Sequence, residues 1–434
     1  MNPKLAVFPA TAEINHEGHL VLGGVDATEL AARYGTPLYV YDEVTLRSHC
    51  RDFKREFGQR YSDTIVTYAG KAFLHSALAA ILNEEGLGLD IVSAGELHIA
   101  ESGGFPPERV FFHGNNKSVD ELRLALERRV GRVVVDSLDE LLLLEGIAQE
   151  NGCVPQILLR ITPGVDAHTH GHLTTGAVGS KFGIPLDQAE GVITRAMTSV
   201  SLELVGLHFH IGSMISECQP YLDAMDLVLN LAAEAARKYG FKLAEFDIGG
   251  GYGVQYTLDD PMPEVGVFAD RITAHLVERC HGLNLPQPRL IIEPGRAIVA
   301  QAGVALYRVG TIKDATGHRY VAVDGGMADN IRPALYDARY EVLSASKADA
   351  AETERVDIAG RYCETGDIII KQTLIAPPVA GDVLAIPVCG AYCLPMASNY
   401  NATLKPAIVM VANGASRLIR RRQTLEDLTH GDVV

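Results

Sequence analysis

Short apolar runs alternate with longer amphipathic stretches over most of the first 300 residues. The runs are rich in β-branched residues and bounded by turn residues, as buried strands are. Eight runs share these features, at 64–69, 87–92, 109–113, 132–136, 156–161, 203–210, 244–248 and 289–293. The stretches between them have helical periodicity, and several begin at a serine followed by acidic residues, as helices prefer. Eight such units in about 240 residues predict a closed (β/α)8 TIM-type barrel, with an open doubly wound sheet as the alternative.

The pattern changes after residue 300. Segments such as GVALYRVGTI, GDIIIKQTL and PAIVMVANG indicate strands separated by turns, with almost no helical stretch. The opening segment, with HLVLGG and PLYVYD, also has the pattern of strands. We therefore predict an α/β plus β protein: a barrel over residues 45–300, and a β domain of sandwich or barrel type over 301–434 that residues 1–44 join.

Composition and charge argue against several classes of protein. The 54 acidic and 38 basic side chains give a formal net charge of −16, which argues against binding to nucleic acid. No apolar stretch is long enough to span a membrane, and the first thirty residues lack the apolar core of a signal peptide. Seven scattered cysteines fit neither a disulfide framework nor a zinc site. The expectation is a soluble, cytoplasmic protein without a structural metal.

Polar and glycine-rich sequence follows the predicted strands, at the rim where barrels of this type carry their active sites. The motif DIGGGYG after the seventh strand contains Gly250 and Gly251, and EPGR after the eighth contains Gly295 and Arg296. Bare backbone amides in such loops bind phosphate, although a tight turn also explains a run of glycines. The positions predict a phosphorylated ligand or cofactor.

Three further residue types complete this candidate site. Lys71 follows the first strand, where a partly desolvated amine can attack an aldehyde. His208 and His210 alternate on the sixth strand, so they should point to opposite faces, and one could stack on a flat ring. Glu293 could keep a heterocyclic nitrogen protonated. A surface lysine and structural histidines are the simpler alternatives, but the combination fits pyridoxal phosphate.

Seven motifs occur in a fixed order: YAGKA, HFHIGS, DIGGGYG, EPGRAIVA, NIRPALY, CETGD and GAYCLPMASNYN. In this order they resemble the pyridoxal-phosphate decarboxylases built on an alanine-racemase-type barrel, and most closely the diaminopimelate decarboxylases. The resemblance runs from about residue 35 to about residue 425, and the barrel and β domain of that family agree with the pattern.

The resemblance implies roles for individual residues around the cofactor. Lys71 would link covalently to its aldehyde, His210 would stack on its ring, and Glu293 would bind its ring nitrogen. The phosphate would be bound by Ser213, Gly250, Gly251, Gly295, Arg296 and Tyr392.

It also implies roles around a small-molecule diamino acid substrate. Arg296, Arg332 and Tyr336 would bind the distal carboxylate, with Tyr392 nearby, and Glu364 would bind the distal amine. Cys363 would donate a proton, and with Glu364 would come from the partner subunit of a homodimer with shared active sites. The loop GHLTTGAVGSKFGI at 171–184 matches a mobile active-site segment of the family.

The implied reaction is decarboxylation of meso-2,6-diaminopimelate to L-lysine and carbon dioxide, the last step of lysine synthesis. Arg332 and Tyr336 favour this substrate, because ornithine and lysine have no distal carboxylate to bind; a structural ion pair is the alternative for Arg332. Departures from the family pattern at Thr365, Cys393 and Leu394 leave room for ornithine, lysine or a carboxylated polyamine. A non-catalytic homologue that acts as a binding partner and an amino-acid racemase are the remaining alternatives.

Overall fold

The computed structural model describes residues 2–165, 179–262 and 264–433. Contacts divide the chain into two compact units. The sheet unit comprises Met1–His49, Val254–Pro261 and Arg296–Val434, and the barrel unit comprises Cys50–Gly253 and Met262–Gly295. The domain boundaries predicted at residues 45 and 300 stay a prediction.

The chain begins with short strands and one capped helix. In the helix Ala27–Tyr34, the side chain of Asp26 accepts a hydrogen bond from the amide of Thr28 and so caps the helix. The elements are β1 (Glu13–Ile14), β2 (Leu20–Leu22), β3 (Val25–Asp26), α1 (Ala27–Tyr34), β4 (Leu38–Asp42) and α2 (Glu43–Arg60). All five residues of β4 are buried, which is expected of a central strand.

Eight parallel strands close into a barrel. The strands of this unit are β5 (Thr64–Ala69), β6 (Gly88–Ile91), β7 (Val110–Phe112), β8 (Arg132–Val135), β9 (Gln156–Thr162), β10 (Ile184–Pro185), β11 (Glu203–His208), β12 (Glu245–Asp247) and β13 (Arg289–Ile292). Each pairs with the next around the ring, β10 standing outside it beside β9, and β13 pairs with β5. The barrel prediction is therefore confirmed, and the open doubly wound sheet is excluded.

Apolar side chains from alternate positions fill the barrel. One buried cluster comprises Phe111, Val134, Leu158, Val205 and Ile291, with Ile65 packed against it. These residues come from six different strands, so each strand is held from inside by its neighbours across the barrel. Burial of apolar surface of this kind contributes about 25 cal/mol per Å², and it fixes the strand ends on which the candidate site is built.

Helices follow the strands, and serine caps set where several of them begin. Ser118 forms a capping box with Glu121, and Ser137 accepts a hydrogen bond from the amide of Glu140. The helices of this unit are α3 (Ser76–Glu84), α4 (Ala94–Ser102), α5 (Val119–Glu127), α6 (Leu138–Asn151), α7 (Leu186–Met197), α8 (Gln219–Tyr239) and α9 (Val265–Gly282).

The remaining elements are the strands of a mixed sheet and three short helices. They are α10 (Arg296–Val299), β14 (Gly303–Ala315), β15 (His318–Val323), α11 (Arg332–Tyr336), β16 (Leu343–Ser344), β17 (Glu354–Ala359), β18 (Ile368–Ile375), β19 (Val383–Ile386), β20 (Ala407–Ala412), β21 (Ala415–Arg420) and α12 (Leu425–Thr429). Strand β4 lies between β14, to which it is antiparallel, and β20, to which it is parallel. The prediction that the N-terminal segment joins the β domain is therefore confirmed.

None of the helices in the described parts of the chain is both long enough and apolar enough to cross a membrane.

Candidate active site

Lys71 lies where the first barrel strand ends. It is half-buried in a short 3-10 turn, Gly70–Ala72, that directly follows β5. A Cβ on Gly70 would lie 2.8 Å from the carbonyl oxygen of Asp90, so the turn packs against the end of β6 only because residue 70 is glycine. The sequence thus places a primary amine at the barrel rim on a tightly packed turn.

Glu293 directly follows β13 and is a buried acidic residue at this rim. Its side chain is 3% exposed. Its Oε1 lies 2.8 Å from His113 Nε2, and its Oε2 lies 3.5 Å from His208 Nε2. Burial by itself raises the pKa of Glu293, but the two histidines outweigh burial and hold that pKa well below its usual range. Glu293 is therefore a carboxylate at neutral pH.

Two further buried acids near Glu293 behave differently. Burial, with the charge of Glu293 added, raises the pKa of Asp247 well above its usual value. Burial also raises the pKa of Asp90 to about 6. Neighbouring carboxyl groups whose pKa values are pushed apart are typical of catalytic sites, and here Glu293 is the group whose pKa is lowered.

The two histidines after the sixth strand have different contacts. Strand β11 ends at His208, so the predicted alternation of faces does not extend to His210. Burial lowers the pKa of His208 to about 3. The Nδ1 atom of His210 accepts a hydrogen bond of 3.2 Å from the amide of Gly250, which places its proton on Nε2. Burial, together with the charges of Lys71 and Arg160, holds the pKa of His210 well below its usual value, so its ring is neutral.

The glycine loop after β12 is held by close backbone contacts. The amide of Gly249 donates to Asp247 Oδ1 at 2.9 Å, and Tyr221 Oη donates to the carbonyl of Gly250 at 2.7 Å. Gly251 has φ +107°, and a Cβ on Gly250 would lie 1.9 Å from the carbonyl oxygen of Glu293. No side chain larger than hydrogen fits there, so the loop presents backbone next to Glu293.

The barrel residues together fit pyridoxal phosphate. Glu293 Oε1 and both ring nitrogens of His208 are buried, and within the described residues they have no well-aligned hydrogen-bond partner. A buried carboxylate with an unfilled acceptor position suits a protonated heterocyclic nitrogen, glycine amides suit a phosphate, and Lys71 supplies an amine for an aldehyde.

The ligand atoms of His113, His208 and Glu293 lie within 4.8 Å of one another, a spacing that would also admit a metal ion. The expected absence of a metal therefore stays a prediction.

Two further predicted site residues, Ser213 and Gly295, belong to the barrel unit, and the others lie in the sheet unit. Arg296 and Arg332 are both buried, 6% exposed each, and Tyr392 lies with its ring centroid 4.6 Å from the guanidinium carbon of Arg296. Tyr336 is the half-buried last residue of α11.

Cys363 and Glu364 are exposed in the single chain. The amide of Cys363 donates to Asn401 Oδ1 at 2.9 Å, and Tyr400 Oη donates to its carbonyl at 3.3 Å. The backbone of this segment is therefore fixed while its thiol and carboxylate face outward. Of the predicted loop at 171–184, residues up to 178 lie outside the described residues, as do the five that precede it.

The comparisons with known proteins agree with this chemistry. Residues 43–300 match the family model described as "Pyridoxal-dependent decarboxylase, pyridoxal binding domain". The chain is 44% identical to the diaminopimelate decarboxylase of Bacillus subtilis (strain 168) over 426 residues, 98% of this chain and 97% of that relative. It is 41% identical to the diaminopimelate decarboxylase of Mycobacterium tuberculosis (strain ATCC 25618 / H37Rv) over 434 residues, 97% of this chain and 96% of that relative. The chain belongs to the diaminopimelate decarboxylase family.

Solved structures agree. The crystal structure of diaminopimelate decarboxylase from M. jannaschii is 34% identical, with a TM-score of 0.92 and coverage of 98% of both chains. A lysine/ornithine decarboxylase from Vibrio vulnificus, at 24% identity and a TM-score of 0.76, covers 89% of this chain and 96% of its own and shares the fold. The resemblance seen in the sequence motifs is confirmed, and this member of the family is a pyridoxal-phosphate-dependent carboxy-lyase.

Three residues of this decarboxylase that contact the candidate site residues were not predicted. His113 stands at the end of β7 and contacts Glu293, while Tyr256 and Tyr340 contact the buried arginines. The sequence could have predicted His113 as a site residue, because the polar loop HGNNKS follows β7 as the other site loops follow their strands. For the two tyrosines the local sequence held no comparable signal.

His208 should make this decarboxylase sensitive to acid. Its pKa falls from 6.5 in the unfolded chain to about 3 in the folded one, so between these values only the unfolded chain binds the proton. Stability is therefore lost as pH falls from 6.5 towards 3. In His208→Asn, we expect the slope of unfolding free energy against pH to be smaller by about 1.4 kcal/mol per pH unit in this window.

Urea unfolding of the holoenzyme at several pH values measures this slope. The exposed His16, whose side chain is 91% exposed, supplies the control variant His16→Gln, which should leave the slope unchanged. Equal slopes in the unmodified and His208→Asn chains would show that His208 is not buried as a neutral ring.

Proposed function

We propose that the chain decarboxylates meso-2,6-diaminopimelate to L-lysine and carbon dioxide, the last step of lysine synthesis. The observation that carries this substrate is the environment of Arg332. No carboxylate among the described residues lies within ion-pair distance of its buried guanidinium group, and the titratable groups beside it are the hydroxyls of Tyr256 and Tyr340 and the thiol of Cys393. Burial alone lowers the pKa of Arg332, but these neighbours raise it above its ordinary value. A buried cation of this kind suits the carboxylate of a ligand.

Around the cofactor, the proposed roles follow from the charge states. Pyridoxal phosphate, when bound, supplies the electron sink for the electrons of the broken carbon–carboxylate bond. The carboxylate of Glu293 would accept a hydrogen bond from the ring nitrogen and so keep that nitrogen protonated. The neutral ring of His210 would pack against the cofactor ring, and the amine of Lys71 would hold the cofactor through its aldehyde group.

The phosphate contacts are proposed for a group of small or basic residues. They are Ser213, Gly250, Gly251, Gly295, Arg296 and Tyr392.

The substrate contacts are proposed for residues of the sheet unit. Arg332 binds the distal carboxylate, because a guanidinium group matches a carboxylate with two parallel hydrogen bonds. Arg296 and Tyr336 assist it, and Glu364 accepts from the distal amine. The thiol of Cys363 donates the proton to the carbon that has lost its carboxylate.

The exposure of Cys363 and Glu364 supports a homodimer with shared sites. A proton donor that faces bulk water in one chain can act in a closed site if a second chain's site covers it. We further propose that this dimer is cytoplasmic and binds no nucleic acid, since its net charge of −16 repels phosphate backbones.

Carbon dioxide release from a panel of amino acids tests the proposed substrate. With meso-diaminopimelate, L-lysine, L-ornithine and a carboxylated polyamine, we expect kcat/KM to favour diaminopimelate by at least about 100-fold, because the others leave a buried cation unpaired. The Lys71→Ala chain is the blank. Comparable turnover of L-lysine or L-ornithine would overturn the assignment. A colourless protein on which borohydride traps no pyridoxyl group at Lys71 would instead favour the non-catalytic homologue.

A further inference from the structure

One tyrosine contacts both arginines that are proposed to bind the distal carboxylate. Tyr256 is 5% exposed. Its Oη accepts a hydrogen bond of 2.6 Å from Nη1 of Arg296, and its ring centroid lies 4.5 Å from the guanidinium carbon of Arg332. The hydroxyl therefore orients one guanidinium group, while the ring face attracts the other through its quadrupole.

A second tyrosine holds Arg332 from another direction. Nη1 of Arg332 donates to Tyr340 Oη at 2.5 Å, and the ring of Tyr340 meets that of Tyr256 edge to face, 5.4 Å apart at 88°. Tyr340 Oη lies 3.7 Å from Cys393 Sγ, which donates to Asn330 Oδ1 at 3.4 Å. This chain of contacts leaves Tyr340 little freedom, so the direction of its hydroxyl, and with it that of Arg332, is set by the protein.

The segment that carries Tyr256 is itself fixed. The amides of Tyr256 and Thr257 donate to Asp260 Oδ2 at 3.2 and 2.8 Å. Asp260 in turn pairs with Arg339, and the amide of Leu258 donates to Glu341. The arrangement of both guanidinium groups is thus built before any ligand binds, which lowers the entropy that binding costs.

The tyrosines orient Arg332 without neutralising it. Burial raises the pKa of Tyr340 well above its usual value, so its hydroxyl stays protonated. An aspartate or glutamate in the same place would pair with the guanidinium group and compete with a ligand carboxylate. Neutral aromatic partners avoid this competition.

We propose that Tyr256 and Tyr340 are positioning residues that set the preference for a substrate with a distal carboxylate. Tyr256 orients Arg296 through its hydroxyl and Arg332 through its ring, and Tyr340 orients Arg332 through its hydroxyl. The inference rests on the proposed function and extends it to two residues that do not bind the cofactor or the reacting atoms.

Three variants separate these contacts in the holoenzyme. Tyr256→Phe keeps the ring beside Arg332 and loses the hydroxyl, Tyr340→Phe removes the acceptor for Arg332, and Tyr256→Leu removes both contacts of Tyr256. For meso-diaminopimelate we expect KM to rise about threefold to tenfold in the two phenylalanine variants and more than about tenfold in Tyr256→Leu, with kcat within about twofold. Inhibition by cadaverine, a diamine that has no carboxylate, should be unchanged.

The outcomes distinguish failure of the proposed function from failure of the positioning role of the two tyrosines. If the unmodified chain does not decarboxylate diaminopimelate, the proposed function fails. If it does, but the phenylalanine variants leave KM for diaminopimelate unchanged, or weaken the binding of diaminopimelate and cadaverine equally, the positioning role is overturned. Tyr34→Phe, which removes a half-buried hydroxyl that contacts Ser416, is the matched control. Should Tyr256→Leu fail to fold, the phenylalanine variants alone decide the question.

Discussion

An equal mixture of Lys71→Ala and Cys363→Ala chains should regain about a quarter of the activity of the unmodified protein, if the dimer exchanges subunits freely. Each variant alone should be nearly inactive: Lys71→Ala by roughly 10³-fold or more, because the covalent anchor is lost, and Cys363→Ala by about 10²- to 10⁴-fold, because a general acid is lost. Half of the dimers in the mixture contain one chain of each kind. In each of these dimers, one of the two sites has both Lys71 and Cys363.

Co-expression of the two chains with different tags measures this recovery. The matched control pairs Lys71→Ala with a chain that carries both substitutions, a combination in which no site has both residues and no activity should return. Hetero-tagged dimers that form but remain inactive would contradict shared sites and would place the proton donor within one chain. The experiment thus tests whether Cys363 and Glu364, which are exposed in the single chain, act in the site of a second chain.

The barrel could be predicted almost residue by residue, because its signals are local. The first strand was predicted at 64–69 and is Thr64–Ala69, since a short β-branched run between turns has few other structures available. The sixth strand, predicted to residue 210, ends at His208. Apolar and aromatic sequence continues past that point, and only the surrounding rim determines where the strand pairing stops.

The sheet unit was predicted less completely, because its smaller elements leave little periodic signal. Helix α11 has five residues, with a proline near its start, which is too short for a helical period to be read. Strand β21 contains part of the basic run at 417–422. It lies at the edge of the sheet beside β20, where charged side chains are common.

The site was predicted by residue type, and its supporting contacts were not. Lys71 and Glu293 stand in loops that directly follow strands, so the barrel pattern alone brings them to one rim. The contact between His113 and Glu293 joins residues 180 positions apart. Tyr256, which contacts Arg296, lies in the segment Val254–Pro261. This segment belongs to the sheet unit, although the residues on either side of it belong to the barrel unit. No local pattern encodes such contacts, because they depend on the three-dimensional packing of the rim loops.

Replacement of Arg332 should change which substrate the enzyme prefers. In Arg332→Ala, we expect kcat/KM for meso-diaminopimelate to fall by about 10²- to 10³-fold, since removing one member of a buried charge pair costs about 3–5 kcal/mol. Any slow turnover of L-lysine should change much less, because that substrate has no distal carboxylate. Arg332→Lys should be intermediate, since it keeps the charge and loses the two-pronged geometry.

Steady-state kinetics on both substrates, with thermal melting of each holoenzyme, check this expectation. Arg421→Ala is the matched control: its side chain is 62% exposed and pairs with Asp427, so its loss should leave the substrate preference unchanged. A normal kcat/KM for diaminopimelate in a folded Arg332→Ala protein would show that the distal carboxylate is bound elsewhere. Equal losses for both substrates would instead mean that Arg332 acts on the part of the substrate they share, because only a contact with the distal carboxylate distinguishes diaminopimelate from lysine.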